Sequence, residues 1–386
     1  MTDMPVLPPL GLPEAFLPLF ENGPPPPDRI DAFLAQNAFP LVRPGEVVFA
    51  WHGRADRVEL VRWIHAGGSR QAFHRMPGTD LWITRLAVED GGRFEYKLAI
   101  GYGSHEELIL DPLNRLRAGD PFGENSVCRT YGYERPDWTL PRGAPAGEVR
   151  PFEIDSTVFG QRRHEQIYLP HGYRADAPYP VVIIHDGQDY QNFADLSVSL
   201  DNLIADGVIP PILALLIQTQ DRMGEYPGGR RHARYLVKDV MPVLTARYAV
   251  SDDPADRVLL GASLGAVASI STAFRYPGVF GGLILKSGTF ILDRSKLDGR
   301  THPVFHRVAR LVRALQRAPK LPQTRAFVST GELEGLAEDN RALAEFLRKH
   351  GVDVLFKSAW DGHHWHNWRD QLRDGLVWTL ARGNGG

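Results

Sequence analysis

Between Gln166 and Phe356, short apolar runs alternate with amphipathic helical patterns, and this alternation constrains the fold more than any other feature of the chain. The runs are residues 166–169, 181–184, 212–217, 257–260, 283–285, 326–328 and 354–356. Helical patterns lie between most of them, for example at 232–248 and 336–350. In the latter, Leu336, Leu343, Phe346 and Leu347 share a face, and Gly351 follows the end. Short strands joined by helices pair into a mainly parallel sheet covered on both faces.

One strand-to-helix joint reads Gly261-Ala262-Ser263-Leu264-Gly265. It follows Val258-Leu259-Leu260 and precedes a helical pattern that stops ahead of Pro277. A serine flanked by glycines two residues away, at such a joint, is the nucleophile elbow of an α/β-hydrolase. The turn holds Ser263 Oγ clear of the sheet and turns the Leu264 N–H towards a developing oxyanion. The second oxyanion donor belongs on the loop after 181–184, which reads His185-Asp186-Gly187-Gln188-Asp189. Gly187 admits close backbone approach, and the donor there is the Gln188 N–H.

A neutral serine needs a base, and the chain order in this fold is Ser, then Asp or Glu, then His. His302 and His306 come too early, and His350 reads as a helix C-terminal cap. His363, His364 and His366 fall between the last strand and the C-terminal helix, where the base belongs. The orienting acid follows the strand at 325–329, where Glu332 and Glu334 both fit; Asp339 is already inside the helix. Neighbouring histidines point in different directions, so the His363-His364-x-His366 cluster reads as no metal site. No cofactor is expected.

Upstream the pattern differs. Residues 1–40 are proline-rich and read as an extended or loosely packed arm, with a short helix at 29–36. Residues 41–138 carry β-rich runs at 47–51, 58–64, 81–86 and 94–100, separated by turns at 66–68, 77–80 and 90–92. Phe94, Tyr96, Leu98 and Ile100 alternate with Glu95, Lys97 and Ala99, as a half-buried strand does. This spacing predicts a small β-sandwich, with Trp51, Trp63 and Trp82 in its core. Residues 139–150 read as a linker, and 151–386 as the catalytic domain. A net charge of −2 argues against nucleic acid as a partner. No apolar run approaches the ~20 residues that cross a bilayer. The single cysteine, Cys128, excludes an internal disulfide. No secretory signal is visible at the N-terminus, and cytoplasmic residence is the expectation.

Several segments together resemble the putative-esterase group of α/β-hydrolases, in particular enterochelin (ferric enterobactin) esterases. They are Asp186-Gly187-Gln188, the Arg222-to-Glu225 spacing, the Ser263 elbow, Phe280-Gly281, Lys286-Ser287-Gly288, Glu334 with Asn340, and Gly362-His363-x-Trp365-x-x-Trp368-Arg369. Met76-x-Gly78-x-Asp80-x-Trp82, Tyr96-Lys97, Asp111-Pro112-x-Asn114 and Asn125-Ser126-Val127 resemble the Ig-like domain of the same enzymes. The resemblance implies Ser263 as nucleophile, His363 as base, Glu334 as acid, and the Leu264 and Gln188 N–H groups as oxyanion hole. It implies a small-molecule ester as substrate, with an iron-siderophore complex as the leading case. Feruloyl or acetyl esters are the alternative, and a non-catalytic glycan-binding protein is the rival of another class. Basic residues from Arg300 to Arg325 lie on the outside of an apolar-faced helix and form either a solvated surface or a rim that attracts an anion. Arg222 adds to that rim. Trp365 and Trp368 fit either an acyl-stacking surface or the core of the last helix. An oligomer is compatible with all of this.

Overall fold

The computed structural model describes residues 12–62, 70–292, 302–318, 321 and 324–381. Trp63, the 66–68 turn, Arg300 and Lys320 lie outside these residues. The chain divides into two compact units. One comprises Met1–Glu134, Glu332–Gly335 and Ala359–His364; the other comprises Arg135–Gly331, Leu336–Ser358 and Trp365–Gly386.

The first unit is built on two antiparallel sheets. β1 (Leu41–Arg43), β2 (Glu46–His52), β5 (His74–Arg75) and β6 (Leu81–Ala87) pair in the order β1-β2-β6-β5. β3 (Arg57–Arg62), β4 (Arg70–Ala72), β7 (Arg93–Tyr102), β9 (Arg117–Asp120) and β10 (Gly123–Arg129) pair in the order β4-β3-β7-β10-β9, and β8 (His105–Ile109) pairs with β7. Alternate residues of the two sheets meet in one core. β2 supplies Val47, Phe49 and Trp51, β6 supplies Trp82 and Leu86, and β7 supplies Phe94, Tyr96, Leu98 and Ile100. Trp51 and Trp82 are direct cross-strand partners. The Tyr96 hydroxyl donates to Asp111 Oδ2 at 2.6 Å, and the Asp111 N–H donates to Ser126 Oγ at 2.9 Å. These bonds satisfy polar groups that would otherwise be costly to bury.

Two expectations fail here. The described part of the proline-rich arm is not loosely packed. The turn Glu14–Phe16 and helices Leu17–Phe20 and Pro27–Gln36 place Phe16, Leu19, Ile30 and Leu34 against Val48, Ala50, Leu81 and Ile83, the opposite face of the four-stranded sheet. That face is apolar too, and only a second layer keeps it from water. Glu95, on the face of β7 that alternation assigns to solvent, is 3% exposed. Tertiary neighbours cover it, as described below.

The second unit holds an eight-stranded sheet in the order β11-β12-β14-β13-β15-β16-β17-β18. Its strands are β11 (Glu148–Ser156), β12 (Gln161–Leu169), β13 (Val181–His185), β14 (Leu213–Ile217), β15 (Arg257–Ala262), β16 (Gly282–Lys286), β17 (Arg325–Gly331) and β18 (Asp353–Ala359). Each strand expected from the apolar runs falls inside β12 to β18, except that Ile212 lies one residue ahead of β14. β11 begins at Glu148, within the stretch read as linker. β14, β13, β15, β16 and β17 pair parallel in that order, whereas β11 and β12 pair antiparallel with each other and β12 with β14. The sheet is therefore mixed, because β11 and β12 are joined by a tight turn that cannot make a parallel crossover.

Both faces of the sheet are buried along its central strands, β13 to β17. Val181, Ile183, Leu213, Leu215 and Leu259 share a core with helices Leu264–Arg275, Pro303–Gln316 and Ala337–Lys349. Val182, Ile184, Ala214, Leu216 and Leu260 share another with helices Leu196–Ala205 and Leu372–Leu380. The chain leaves β13 for β14 on one side and later returns to β15 on the other. The carboxyl ends of β13 and β15 thus flank a topological switch point, where open α/β sheets bind ligands. Among the described residues no helix is long and apolar enough to cross a membrane.

The docked arm makes a testable difference. Ile30→Ala is expected to lower stability by about 2–5 kcal/mol, the usual cost of truncating a core aliphatic side chain. A urea unfolding curve followed by tryptophan fluorescence, with an unchanged midpoint, would show that the arm contributes no packing.

Candidate active site

β15 ends at Ala262, and helix Leu264–Arg275 starts two residues later, with Ser263 at φ 55°, ψ −119° between them. A left-handed φ on a serine is strained. Hydrogen bonds on both sides hold it: the Ser263 N–H donates to Lys286 O at 2.9 Å, and the Thr289 N–H donates to Ser263 O at 3.3 Å. Ser263 Oγ lies 3.1 Å from Thr289 Oγ1. The turn requires Gly261, because a β-carbon there would sit 2.2 Å from the Gly265 carbonyl carbon.

β13 and β15 run side by side in register, Ile184 opposite Leu260, so the turns that follow them are neighbours. Asp186 takes φ 55°, and helix Gly187–Phe193 follows. Gly187 faces the backbone of β14, where a β-carbon would come within 2.4 Å of Leu216 Cα. Gln188 and Leu264 thus both sit in the first turn of a helix leaving the same edge of the sheet. Helix N-termini present unpaired N–H groups and favour negative charge.

Arg222 ties the two turns together. Its Nε donates to both Asp186 oxygens at 3.1 Å, and its Nη2 donates to Asp186 Oδ2 at 3.0 Å and to Ala262 O at 3.4 Å. The Arg222 side chain keeps 37% exposure, so it both braces the elbow and meets solvent. Beneath it His185 is buried, with Nδ1 3.0 Å from Leu260 O and Nε2 3.1 Å from His232 Nε2. Burial, reinforced by His232, lowers the His185 imidazole to about 3, which removes it as a base near neutral pH.

The aromatic residues after the histidine cluster divide. Trp368 is 5% exposed, and its Nε1 donates to Ser287 Oγ at 2.9 Å, so the ring belongs to the core. Trp365 is half-buried and packs edge-on against Tyr190 and Trp368, with centroids 5.2 and 4.8 Å away.

Ser263, Leu264, Gln188, Arg222, Trp365 and Trp368 belong to the second unit, whereas His363 and Glu334 belong to the first. Within that unit His363 Nδ1 lies 2.5 Å from Glu334 Oε2. Both side chains are largely shielded, at 12% and 3% exposure, which strengthens a charge-assisted contact. The backbone N–H of Glu332 donates to Ala359 O at 2.8 Å. His364, next in sequence, is 6% exposed and lies 3.3 Å from Glu95 Oε2 through Nδ1. Burial lowers its imidazole to about 4 despite the nearby carboxylate.

Sequence reasoning assigned no function to Arg93, Glu95 or Asp361. Arg93 Nη1 donates to Asp361 Oδ2 at 2.9 Å, and Nη2 donates to Glu95 Oε1 at 2.8 Å. Arg93 and Asp361 lie 268 positions apart, and no local pattern couples them. The one signal on offer was a pair of charged residues bracketing Phe94 on a strand otherwise rich in apolar side chains.

Comparison with known proteins places the chain in a family. Residues 156–379 match the family model described as "Putative esterase". The iron(III) enterobactin esterase of Dickeya dadantii (strain 3937) is 25% identical over 360 residues, covering 82% of this chain and 81% of its own. An uncharacterized Bacillus subtilis (strain 168) protein, YjcH, is 24% identical over 242 residues, covering 60% of this chain and 96% of its own. The crystal structure of the enterobactin esterase FES from Shigella flexneri in the presence of enterobactin shares the fold, with a TM-score of 0.73 at 19% identity over 90% of this chain and 97% of that one. With the family model covering more than half of its residues, the chain belongs to this esterase family and is a carboxylic-ester hydrolase.

Proposed function

We propose that the chain is a serine esterase that works through an acyl-enzyme, with a catecholate siderophore lactone of enterobactin type as substrate. In this reading an α/β-hydrolase domain, whose sheet begins at Glu148, follows an Ig-like sandwich. Ser263 Oγ attacks the ester carbonyl while His363 takes its proton. Glu334 accepts from His363 Nδ1–H, which leaves Nε2 as the basic nitrogen. The Leu264 and Gln188 N–H groups receive the tetrahedral oxyanion. His363 then protonates the leaving alkoxide, and water repeats the sequence on the acyl-enzyme to release acid and free serine.

The observation that carries this reading is the Ser263 turn. A strained serine backbone, held by hydrogen bonds to Lys286 and Thr289, stands at the switch point of the sheet. Strain of this kind persists where the surrounding structure over-determines it, and it clusters at active sites. The 2.5 Å contact between His363 and Glu334 supports the assignment of base and acid.

The substrate class rests on charge and on the relatives. Arg307, on helix Pro303–Gln316, donates to Met223 O at 2.6 Å and to Gly224 O at 3.3 Å, which sets that basic helix beside the Arg222 turn. Arg310 on the same helix is exposed. Cations gathered at a concave edge raise the local concentration of an anionic substrate, and a ferric catecholate is anionic. The iron is cargo of that substrate. Trp365 offers an aromatic wall for the acyl group, backed by Trp368. The match to the Dickeya dadantii enterobactin esterase extends well beyond the span of the family model.

Ser263→Ala is expected to lower p-nitrophenyl acetate hydrolysis by at least about 10³-fold with an unchanged circular dichroism spectrum. Retained turnover in that variant would refute the nucleophile. Incubation with ferric enterobactin is expected to release linear dihydroxybenzoylserine products, read by liquid chromatography. No such products, alongside turnover of feruloyl or acetyl esters, would replace the siderophore by an aromatic-acyl or carbohydrate ester.

A further inference from the structure

We propose that Arg93 and Glu95 of β7 are positioning residues for His363. The proposal rests on the reading of His363 as the base.

β7 carries Phe94 and Tyr96 into the sandwich core, and this turns Arg93 and Glu95 to the opposite face. Both are buried there, at 2% and 3% exposure. The segment Ala359–His364 of the same unit lies over them, held at successive positions. The Arg93 N–H donates to Trp360 O at 3.0 Å, and the guanidinium reaches Asp361. Asp361 Oδ1 in turn accepts from the Gly362 N–H at 2.7 Å. Glu95 Oε2 lies 3.3 Å from His364 Nδ1 and accepts from Asn125 Nδ2 at 3.0 Å. The residues on each side of His363 are thereby fixed to one strand.

The acid is fixed to the same support. The Leu333 N–H donates to Asp361 O at 3.0 Å, and Leu333 and Trp360 pack against the sandwich core. Gly92, just before β7, sits directly under Trp360, since a β-carbon there would meet Trp360 O at 2.5 Å. Glu334 and His363 therefore reach their 2.5 Å contact from two segments that share an anchor.

The chemistry suits a positioning device better than a generic core. A guanidinium forks to two carboxylates in a fixed plane, which an ammonium cannot reproduce. Two carboxylates around one buried cation leave no freedom to shift register, whereas apolar side chains tolerate sliding. Misplacing a base by about 1 Å costs on the order of 10²-fold in rate.

Glu95→Gln preserves shape and removes the charge. It is expected to lower kcat for p-nitrophenyl acetate by about 10²-fold, with KM little changed. Arg93→Lys, which retains the charge and loses the fork, carries the same expectation should E95Q fail to fold. A merely structural role predicts the same fractional loss whether or not the base is present. In an His363→Ala background, by contrast, the positioning role predicts no further loss from either substitution, because the group being positioned is gone. Folded E95Q with wild-type kcat, or equal losses in both backgrounds, would overturn the proposal. Full turnover by His363→Ala would instead overturn the base assignment beneath it.

Discussion

Backbone crosses backbone where β15 meets the helix that follows it, and the geometry of the second unit's site descends from that crossing. Gly261 and Gly265 pass so close that a single methyl on Gly261 would lie 2.2 Å from a carbonyl carbon. The crossing forces Ser263 into a left-handed φ. Conformations of this sort cost on the order of 1–3 kcal/mol each, so neighbouring elements must hold them. Lys286 and Thr289 do so from β16 and the loop after it. Arg222 adds a brace by linking Asp186 on the neighbouring turn to Ala262.

A second constraint is electrostatic and lies in the first unit. A buried guanidinium must have carboxylate partners, because an unpaired charge out of water is strongly destabilising. Arg93 has Glu95 on its own strand and Asp361 from far along the chain. Such pairs add little net stability compared with apolar packing, but they specify which groups meet. The distant segment they select is the one that carries His363. Two different kinds of rigidity thus serve the proposed chemistry: a steric one around the serine and a charge-paired one around the histidine.

The fold was legible wherever one period dominated. β13 to β17 appear as short apolar runs, because strands covered on both faces favour apolar residues at successive positions. β11 was hidden: its first residues are polar and edge-exposed, and they read as linker. The proline-rich arm was misjudged for a related reason. Proline at the start of a helix is favourable, and the burial of Ile30 and Leu34 depends on an apolar sheet face that arm residues alone do not reveal.

For the proposed site, local sequence singled out Ser263, the loop around Gln188 and the short list of histidines and glutamates, because glycine spacing and strand ends are properties of neighbouring residues. Only tertiary structure sets His363 Nδ1 2.5 Å from Glu334 Oε2. Only tertiary structure placed Trp368 in the core and left Trp365 half-covered. It alone brought Arg93 and Glu95 to the histidine loop, since pairing across 268 positions leaves no trace in periodicity. A turn is written in the few residues that form it, whereas a buried charge pair exists only once the whole chain has closed around it.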